Sequence, residues 1–285
     1  MTAAQSQTRN VAISLFVIAA STLTVGQSTP QLSPRDLIKA VIGNELNSSA
    51  PVVQWKYLLE KEVDGKNETR QVVETKNGSL DRLLSIGGKP LTGSQQHDEL
   101  QRLLQLAHSS DAQRKLAAAR KKDADQCAAF LKMIPDAFVF EYSGEHAGPN
   151  GDFVKVRFMP NPKYRPSTRE GKVMHELAGE IWVDSNQQRL AAIDGRLLNQ
   201  VKFGGGLFGR LEKGGYFSVK RAEIAHGQWE LAELDVNMRG KALLFKTISV
   251  QQKEMHHEFV RVPEDLTMTA AVALLMNQSL VAEER

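Results

Sequence analysis

The stretch Gly179–Gly195, GEIWVDSNQQRLAAIDG, has the pattern of a strand, a polar turn and a second strand. Ile181 and Val183 alternate with polar residues, which is the period of a strand with one apolar face. Asp184-Ser185-Asn186 supplies side chains that hydrogen-bond their own backbone in turns. Similar hairpins recur from about residue 138 to about residue 259. The pattern therefore predicts a long antiparallel sheet, a scaffold suited to holding a ligand.

The two-residue period continues on both sides of this hairpin, with one interruption. The apolar positions change parity from Trp229 and Leu231 to Leu234. A one-residue phase shift of this kind predicts a β-bulge near Ala232-Glu233, and a bulge bends its strand. Bent strands favour a curved sheet or an open barrel. Further strands are predicted at Phe138–Tyr142, Val154–Phe158, Leu197–Phe203, Tyr216–Arg221, Trp229–Arg239 and Leu243–Val250.

The first part of the chain combines one helix with hairpins. Ser33-Pro34 predicts the start of a helix that ends near Asn47, because serine caps helices and proline fits their first turn. Asp64-Gly65 and Asn77-Gly78 are typical of tight hairpin turns. The segment 51–86 is therefore expected to form three strands.

A helical block separates these strands from the long sheet. Apolar residues recur at helical spacing from 95 to 135, and a last helix follows Pro263. The predicted fold class is α+β, a curved antiparallel sheet or open half-barrel with helices covering one face. We expect a single domain over 27–285, with the helical block as an insertion at 95–135.

The amino terminus has the pattern of an export signal. Arg9 precedes an apolar run from Val11 to Val25, and the small residue Gly26 follows it. A charged region, an apolar region and a small-residue cleavage site together predict a signal peptide over 1–26. An uncleaved anchor is the alternative, although the polar residues in the run make it a weak spanning helix. No later segment is expected to cross a membrane. The mature protein is predicted to be periplasmic or secreted.

Charge and cysteine content narrow the possible functions. The 285 residues carry a net charge of +3, which argues against nucleic acid as the main partner. The basic segment Arg114–Lys122 is flanked by aspartates, so a solvated helix face is the simpler interpretation. Cys127 is the one cysteine, and it is predicted to be a buried structural thiol.

The glycine-rich segment Gly204–Gly209 matches the G-x-G-x-x-G pattern of dinucleotide-binding proteins. That motif requires a helix next, followed by a parallel strand. Here Arg210–Lys213 is followed at once by Gly214-Gly215, which leaves four residues for a crossover. A loop between antiparallel strands is therefore predicted, with no nucleotide cofactor. Its apolar residues, Leu207, Phe208 and Leu211, either fold back onto the core or contact a partner or membrane.

Two histidine motifs do not complete a metal site. His175-Glu176 resembles the start of a zinc-protease helix, but Gly179 stands where the second histidine belongs. His256 and His257 are adjacent, and adjacent strand residues point to opposite faces. No catalytic, cofactor-binding or metal-binding residue is therefore predicted, and the chain is not expected to be an enzyme. A hydrolase with an unrecognised site remains a further alternative.

A family resemblance covers roughly residues 138–259. The segment Gly179–Asp184, followed by Arg189-Leu190, resembles the strand pair of LolA-like periplasmic proteins, the lipoprotein carriers and their relatives. The stretch Lys202–Gly215 also resembles a glycine-rich segment, ending in Leu-Glu-Lys-Gly-Gly, that is found in uncharacterised exported bacterial proteins. The resemblance implies a half-closed barrel with helices over its mouth. No ligand-contacting residue aligns, so none is transferred.

These observations predict a periplasmic or envelope binding or carrier protein for a lipid or an acylated protein. A curved sheet with an apolar concave face can enclose an acyl chain. The alternative is a structural envelope-associated protein whose own side chains fill its core. The protein is expected to be a monomer. The ligand-cavity candidates are Val154, Val156, Phe158, Leu234, Val236 and Met238, with Lys155, Arg157, Asp235 and Asn237 facing outward.

Overall fold

The computed structural model describes residues 32–47, 53–148, 151–206, 209–242 and 246–282. The predicted signal peptide over 1–26 and its anchor alternative lie outside these residues, as do Leu207 and Phe208. No helix of the described residues combines the length and the apolar character that a membrane span requires.

The helices of the described part are α1 (Pro34–Leu46), α2 (Gly93–His108), α3 (Ser110–Ala137), α4 (Arg169–Met174) and α5 (Met268–Ala282). The strands are β1 (Gln54–Val63), β2 (Lys66–Thr75), β3 (Gly78–Ile86), β4 (Lys89–Pro90), β5 (Phe138–Gly148), β6 (Gly151–Pro160), β7 (Leu177–Asp184), β8 (Leu190–Leu197), β9 (Val201–Phe203), β10 (Gly209–Leu211), β11 (Tyr216–Ala225), β12 (Gln228–Ala242) and β13 (Lys246–Val262). The predicted helical block is thus the pair α2 and α3.

The strands form one antiparallel sheet with two free edges. Its order is β4-β3-β2-β1-β13-β12-β11-β8-β7-β6-β5, and the short pair β9 and β10 is attached beside β12. The last strand, β13, lies between β1 and β12, so the first and last described strands are neighbours in the middle of the sheet. The predicted fold class, an open antiparallel sheet with helices, is confirmed.

The hairpin of β7 and β8 forms as the turn residues predict. The Asp184 side chain is buried, and its Oδ1 accepts hydrogen bonds from the backbone N–H groups of Asn186 at 3.1 Å and Gln187 at 2.7 Å. Gln188 has a φ of 49°, a left-handed conformation that completes the turn. The carboxylate therefore satisfies backbone donors that a turn would otherwise leave unpaired.

The predicted bulge in β12 is also confirmed. Lys220 of β11 pairs with Glu233, whereas the next residue, Arg221, pairs with Leu231. Ala232 is left as the extra residue, where the sequence changes parity. The bulge keeps apolar side chains on one face of β12 on both sides of the bend.

The main core lies between the second half of the sheet and three helices. Buried side chains of α1, α3 and α4 pack against β5, β6, β7 and β8, with Ile38, Val156, Phe158 and Met174 among the most buried. A second core joins α2 and α5 to β2 and β3 around Val73. The strand register places Val73 on the face of the sheet opposite Val156, so the structure adds a second helix pair on the other face.

The middle of α3 is exposed on all sides, which corrects the prediction for Cys127. Residues 121–127 are all exposed, and Cys127 is a free, exposed thiol. Only the ends of the helix are anchored: Arg120 donates to the Thr75 carbonyl at 2.6 Å, and Ile134 is buried in the main core. A segment that is polar on all faces bridges two packed regions through solvent. The apolar spacing around Cys127 was therefore not evidence of burial.

Candidate functional site

One row of apolar side chains crosses five strands in register. Val156 of β6 pairs with Ile181 of β7, and Ile181 pairs with Ile193 of β8. Val219 of β11 pairs with Ile193 on one side and with Leu234 of β12 on the other. Residues directly opposite in neighbouring strands share a face. We call the face that carries this row the inner face.

All the ligand-cavity candidates lie on the inner face. Alternation within β6 places Val154 and Phe158 beside Val156, and alternation within β12 places Val236 and Met238 beside Leu234. They do not surround one space. Val154, Val156, Phe158 and Met238 belong to the main core, whereas Leu234 and Val236 are half-buried outside it. Contact with a ligand stays a prediction for each of them.

Helix α1 covers the apolar part of the inner face. Ser33 caps it, accepting from the Asp36 N–H at 3.2 Å, and Pro34 occupies its first turn. Its buried side chains are Leu37, Ile38, Val41 and Ile42, spaced to fall on one side of the helix. The final turns of α3 add Ile134 and Ala137 to the same cover. The Val156, Ile181 and Ile193 part of the row therefore packs against helices and not against a second sheet.

The carboxyl-terminal end of α1 is fixed by a buried ionic cluster. Glu45 accepts two hydrogen bonds from Arg189, both at 2.9 Å, one from Arg221 at 2.6 Å and one from the Leu190 N–H at 3.0 Å. The three charged side chains are at most 18% exposed. Burial alone would raise the pKa of Glu45, but the Arg189 hydrogen bonds and the Arg221 charge hold it below its ordinary value.

Sequence reasoning did not find this cluster. Arg189 stands in the hairpin quoted first, but its partner Glu45 lies 144 residues earlier in the chain. A single acidic residue near the end of a predicted helix carries no signal of its own. The sequence does contain one signal: Glu45 is charged at a position where the helical spacing of Leu37, Ile38, Val41 and Ile42 predicts an apolar, packed side chain.

Beyond β12 this row continues with polar side chains. Leu234 pairs with Glu254 of β13, and Glu254 pairs with Lys61 of β1. Glu254 accepts from Lys61 at 2.8 Å and from Gln252 at 2.7 Å, and it lies 3.2 Å from a ring nitrogen of His256. The hydrogen bond with His256, then that from Lys61, lowers the pKa of Glu254 to about 2 despite its burial. The apolar row that begins at Val156 therefore ends at Leu234, although Tyr57 of β1 and Val72 of β2 are again apolar on the same face.

Two buried carboxylates add to this polar part. Glu74 accepts from the Trp55 N–H at 3.1 Å, and burial raises its pKa above the ordinary value. Burial also raises the pKa of Glu230, and the charge of Glu74 adds to the effect. Tyr57 lies among these acids, and burial followed by the Glu74 charge raises its pKa. The environment therefore favours the protonated forms of both carboxyl groups.

The glycine-rich segment and the two histidine motifs do not form further sites in the described part of the chain. Gly204–Gly206 forms a short 3₁₀ turn between the antiparallel strands β9 and β10, where a dinucleotide motif would need a helix and a parallel strand. His175 lies at the end of α4, 3.2 Å from Glu176. His257 lies 3.3 Å from Glu60, whereas His256 lies 3.2 Å from Glu254. No group of three or more metal-ligating side chains occurs among the described residues.

Comparison with known proteins identifies similar structures but no sequence relatives. No family model matches the chain, and no curated protein matches it. Among solved structures, an outer membrane lipoprotein-sorting protein domain from Vibrio parahaemolyticus is similar, with 6% identity over 84% of this chain and 97% of that one and a TM-score of 0.30. A DUF1329 family protein from Desulfovibrio piger has 9% identity over 81% and 94%, with a TM-score of 0.28. The Pseudomonas aeruginosa MucA/MucB complex has 13% identity over 84% and 97%, with a TM-score of 0.24.

The first of these structures agrees with the LolA-like resemblance found in the sequence. At TM-scores of this size the similarities carry no argument about ligand, partner or site. None of the residues described above is assigned a role from them.

Proposed function

We propose that this protein is an exported binding or carrier protein of the cell envelope, and that its ligand is a lipid or a lipid-bearing partner. The observation that carries the proposal is the apolar row of the inner face, whose Val156, Ile181 and Ile193 part is covered by helices and not by a second sheet. Release of the Glu45 cluster would allow α1 to move away from the sheet as one unit and uncover this surface. An acyl chain would then occupy the surface that α1 and the end of α3 cover.

The ligand's chemistry follows from the two parts of the inner face. The acyl chain would lie along Val154, Val156 and Phe158, and its polar end would lie near β13, where Glu254 and Lys61 face inward. Each buried methylene contributes about 0.8 kcal/mol, so long chains should be favoured over short ones. Met238 and Leu234 lie between the two parts and complete the apolar path.

A structural role in the envelope is the second candidate function. The observation that favours it is the burial of Val156 and Phe158, which are 0% and 1% exposed. Their contacts are already made by the protein's own helices. In this alternative the core is permanently filled, and no ligand is exchanged.

Native mass spectrometry of the protein isolated from its own envelope separates the two functions. The carrier function predicts a bound species with the mass of a lipid or an acylated protein. The control is protein refolded without lipid, which should appear at its bare mass. If the envelope protein also appears only at its bare mass, the structural function replaces the carrier. The same spectra test the expected monomer and a mature amino terminus near Gly26.

A further inference from the structure

A series of connected clefts crosses the sheet on the side away from α1. A cleft of about 630 Å³ and a second of about 150 Å³ share Glu62, Asp235 and Lys253 in their walls. The second cleft shares Tyr216 and Asn237 with a third of about 260 Å³. The third continues through Glu212 and Lys213 into a fourth of about 450 Å³. We call this continuous depression the outer groove.

The strand register places the walls of the outer groove on one face. Glu62 pairs with Lys253, Lys253 pairs with Asp235, and Asp235 pairs with Ser218. The adjacent row joins Asn237 to Tyr216 and Tyr216 to Arg196. These residues alternate with Leu234, Val236 and Phe217, which belong to the inner face. The charged side chains named here and the apolar inner face are therefore on opposite sides of the same strands, although Lys61, Leu234 and Glu254 of the inner-face row also line the first cleft.

The two ends of the outer groove carry opposite charge. On the outer face, the first cleft has four carboxylates and two lysines: Glu60, Glu62, Glu233, Asp235, Lys220 and Lys253. The third and fourth clefts have four basic residues and one acid: Arg196, Arg210, Lys213, Arg239 and Glu212. One end is thus formally −2 and the other +3. A surface that separates charge in this way orients a partner with the reverse separation.

The length of the outer groove fits a short extended peptide. From Glu62 to Arg210 there are three interstrand steps of about 4.8 Å, through β13 and β12 to β10, and six residues along β12 at about 3.3 Å each, which together span about 25 Å. About seven residues of an extended chain therefore span the outer groove. The walls offer one aromatic ring, Tyr216, over which Arg196 lies at 5.5 Å, so a stacked sugar chain has little to bind.

From these observations we propose that the outer groove is a docking surface for an extended peptide segment of a partner protein. The segment carries basic residues at the end that meets Glu60 and Glu62, and acidic residues at the end that meets Arg210 and Lys213. The proposal does not depend on a lipid in the inner face, because the side chains that separate the charge are on the opposite side of the strands. Recognition is electrostatic, so binding should weaken as salt is raised.

The test uses fluorescein-labelled synthetic peptides with the mature protein, read by fluorescence anisotropy at low salt. The block peptide KKKGEEE should bind, while the alternating peptide KEKGEKE, with the same composition and net charge, should bind about tenfold more weakly, because exposed charge pairs each add a small amount. Equal affinity for the two peptides would overturn the proposal. Peptides of lysine only or glutamate only should each bind more weakly than the block peptide.

Charge-reversal variants locate the bound peptide. Glu60→Lys with Glu62→Lys should weaken block-peptide binding about tenfold, and so should Arg210→Glu with Lys213→Glu. Matched controls change the same number of charges on the exposed middle of α3: Asp123→Lys with Asp125→Lys, and Lys121→Glu with Lys122→Glu. The controls should bind as the unchanged protein does. If controls and groove variants weaken binding equally, net charge and not the groove is responsible, and the proposal fails.

An anionic membrane is the competing partner for the basic end. Vesicles of phosphatidylglycerol should therefore be tested with the same variants. If vesicles bind at Arg210 and Lys213 and displace the block peptide, while Glu60 and Glu62 make no difference to either, the surface is a membrane contact and the peptide proposal is overturned. Thermal melts of every variant establish that each is folded before its binding is compared.

Discussion

At the scale of single residues, Gly179 and Gly195 face each other across β7 and β8. A Cβ atom at Gly179 would lie 1.8 Å from the Asp194 carbonyl oxygen, and one at Gly195 would lie 2.3 Å from the Phe217 ring. A backbone atom cannot withdraw as a flexible side chain can. The close packing of Phe158 and Phe217 over this part of the sheet therefore requires glycine.

Replacing Gly179 by alanine should lower the free energy of unfolding by about 2 to 3 kcal/mol, because the added methyl group overpacks the sheet. Gly43→Ala is the matched control. A Cβ there meets nothing within 4 Å, and alanine in a helix should raise stability by about 0.5 to 1 kcal/mol. Urea unfolding of both variants measures the difference. Equal stability of the two variants would contradict the assigned strand register.

The sequence contains part of this information at residue scale. The alternation of Val154, Val156 and Phe158 predicts a shared face, and the register places them together. It does not say what covers that face. Val156 packs under helix α1, which ends more than a hundred positions earlier, and no local pattern carries a contact over that separation.

At the scale of elements, the attachment of α1 to the sheet depends on Glu45. Its carboxylate holds Arg189 at the turn before β8 and Arg221 in β11, so one side chain joins the helix to two strands. The side-chain amide of Asn44 also joins α1 to this turn, because it donates hydrogen bonds to the backbone carbonyls of Gln187 and Gln188.

Glu45→Ala should lower the free energy of unfolding by about 3 to 5 kcal/mol, because it leaves two buried guanidinium groups without their carboxylate. If α1 is the movable cover, the variant should also take up an apolar fluorescent probe faster. The matched control is Asp125→Ala, whose partner Lys121 is exposed, and it should change stability by less than about 1 kcal/mol. Denaturation and stopped-flow probe binding measure the two effects. If Glu45→Ala is destabilised but takes up the probe no faster, the Glu45 cluster does not control ligand entry.

Strands and hairpins are predicted well where the turn residues and the two-residue apolar period agree. The hairpins at Asp64-Gly65 and Asn77-Gly78 are formed, and so is the bulge at Ala232. Cys127 shows the limit. The helix around it was predicted, but its exposure was not, because α3 is held at its two ends and spans solvent between them.

At the scale of the whole molecule, the open antiparallel sheet was predictable and the division of its inner face was not. The sequence predicts an apolar concave face from strands 138–259. The order of the sheet inserts β13 between β12 and β1, so that Glu254 and Lys61 continue the row of Leu234. Pairing between the first and last strands is decided by topology, and a local period contains no information about it.

Titration of saturated fatty acids of increasing length against a bound apolar fluorescent probe shows whether the inner face holds an acyl chain. If it does, the Kd falls about fourfold per added methylene until the surface is full. Val154→Asp, on the inner face, should abolish this trend, whereas Val139→Asp, at an exposed position of β5, should preserve it. Affinity that is independent of chain length, or displacement that Val154→Asp leaves unchanged in a folded protein, would contradict acyl-chain binding at the inner face.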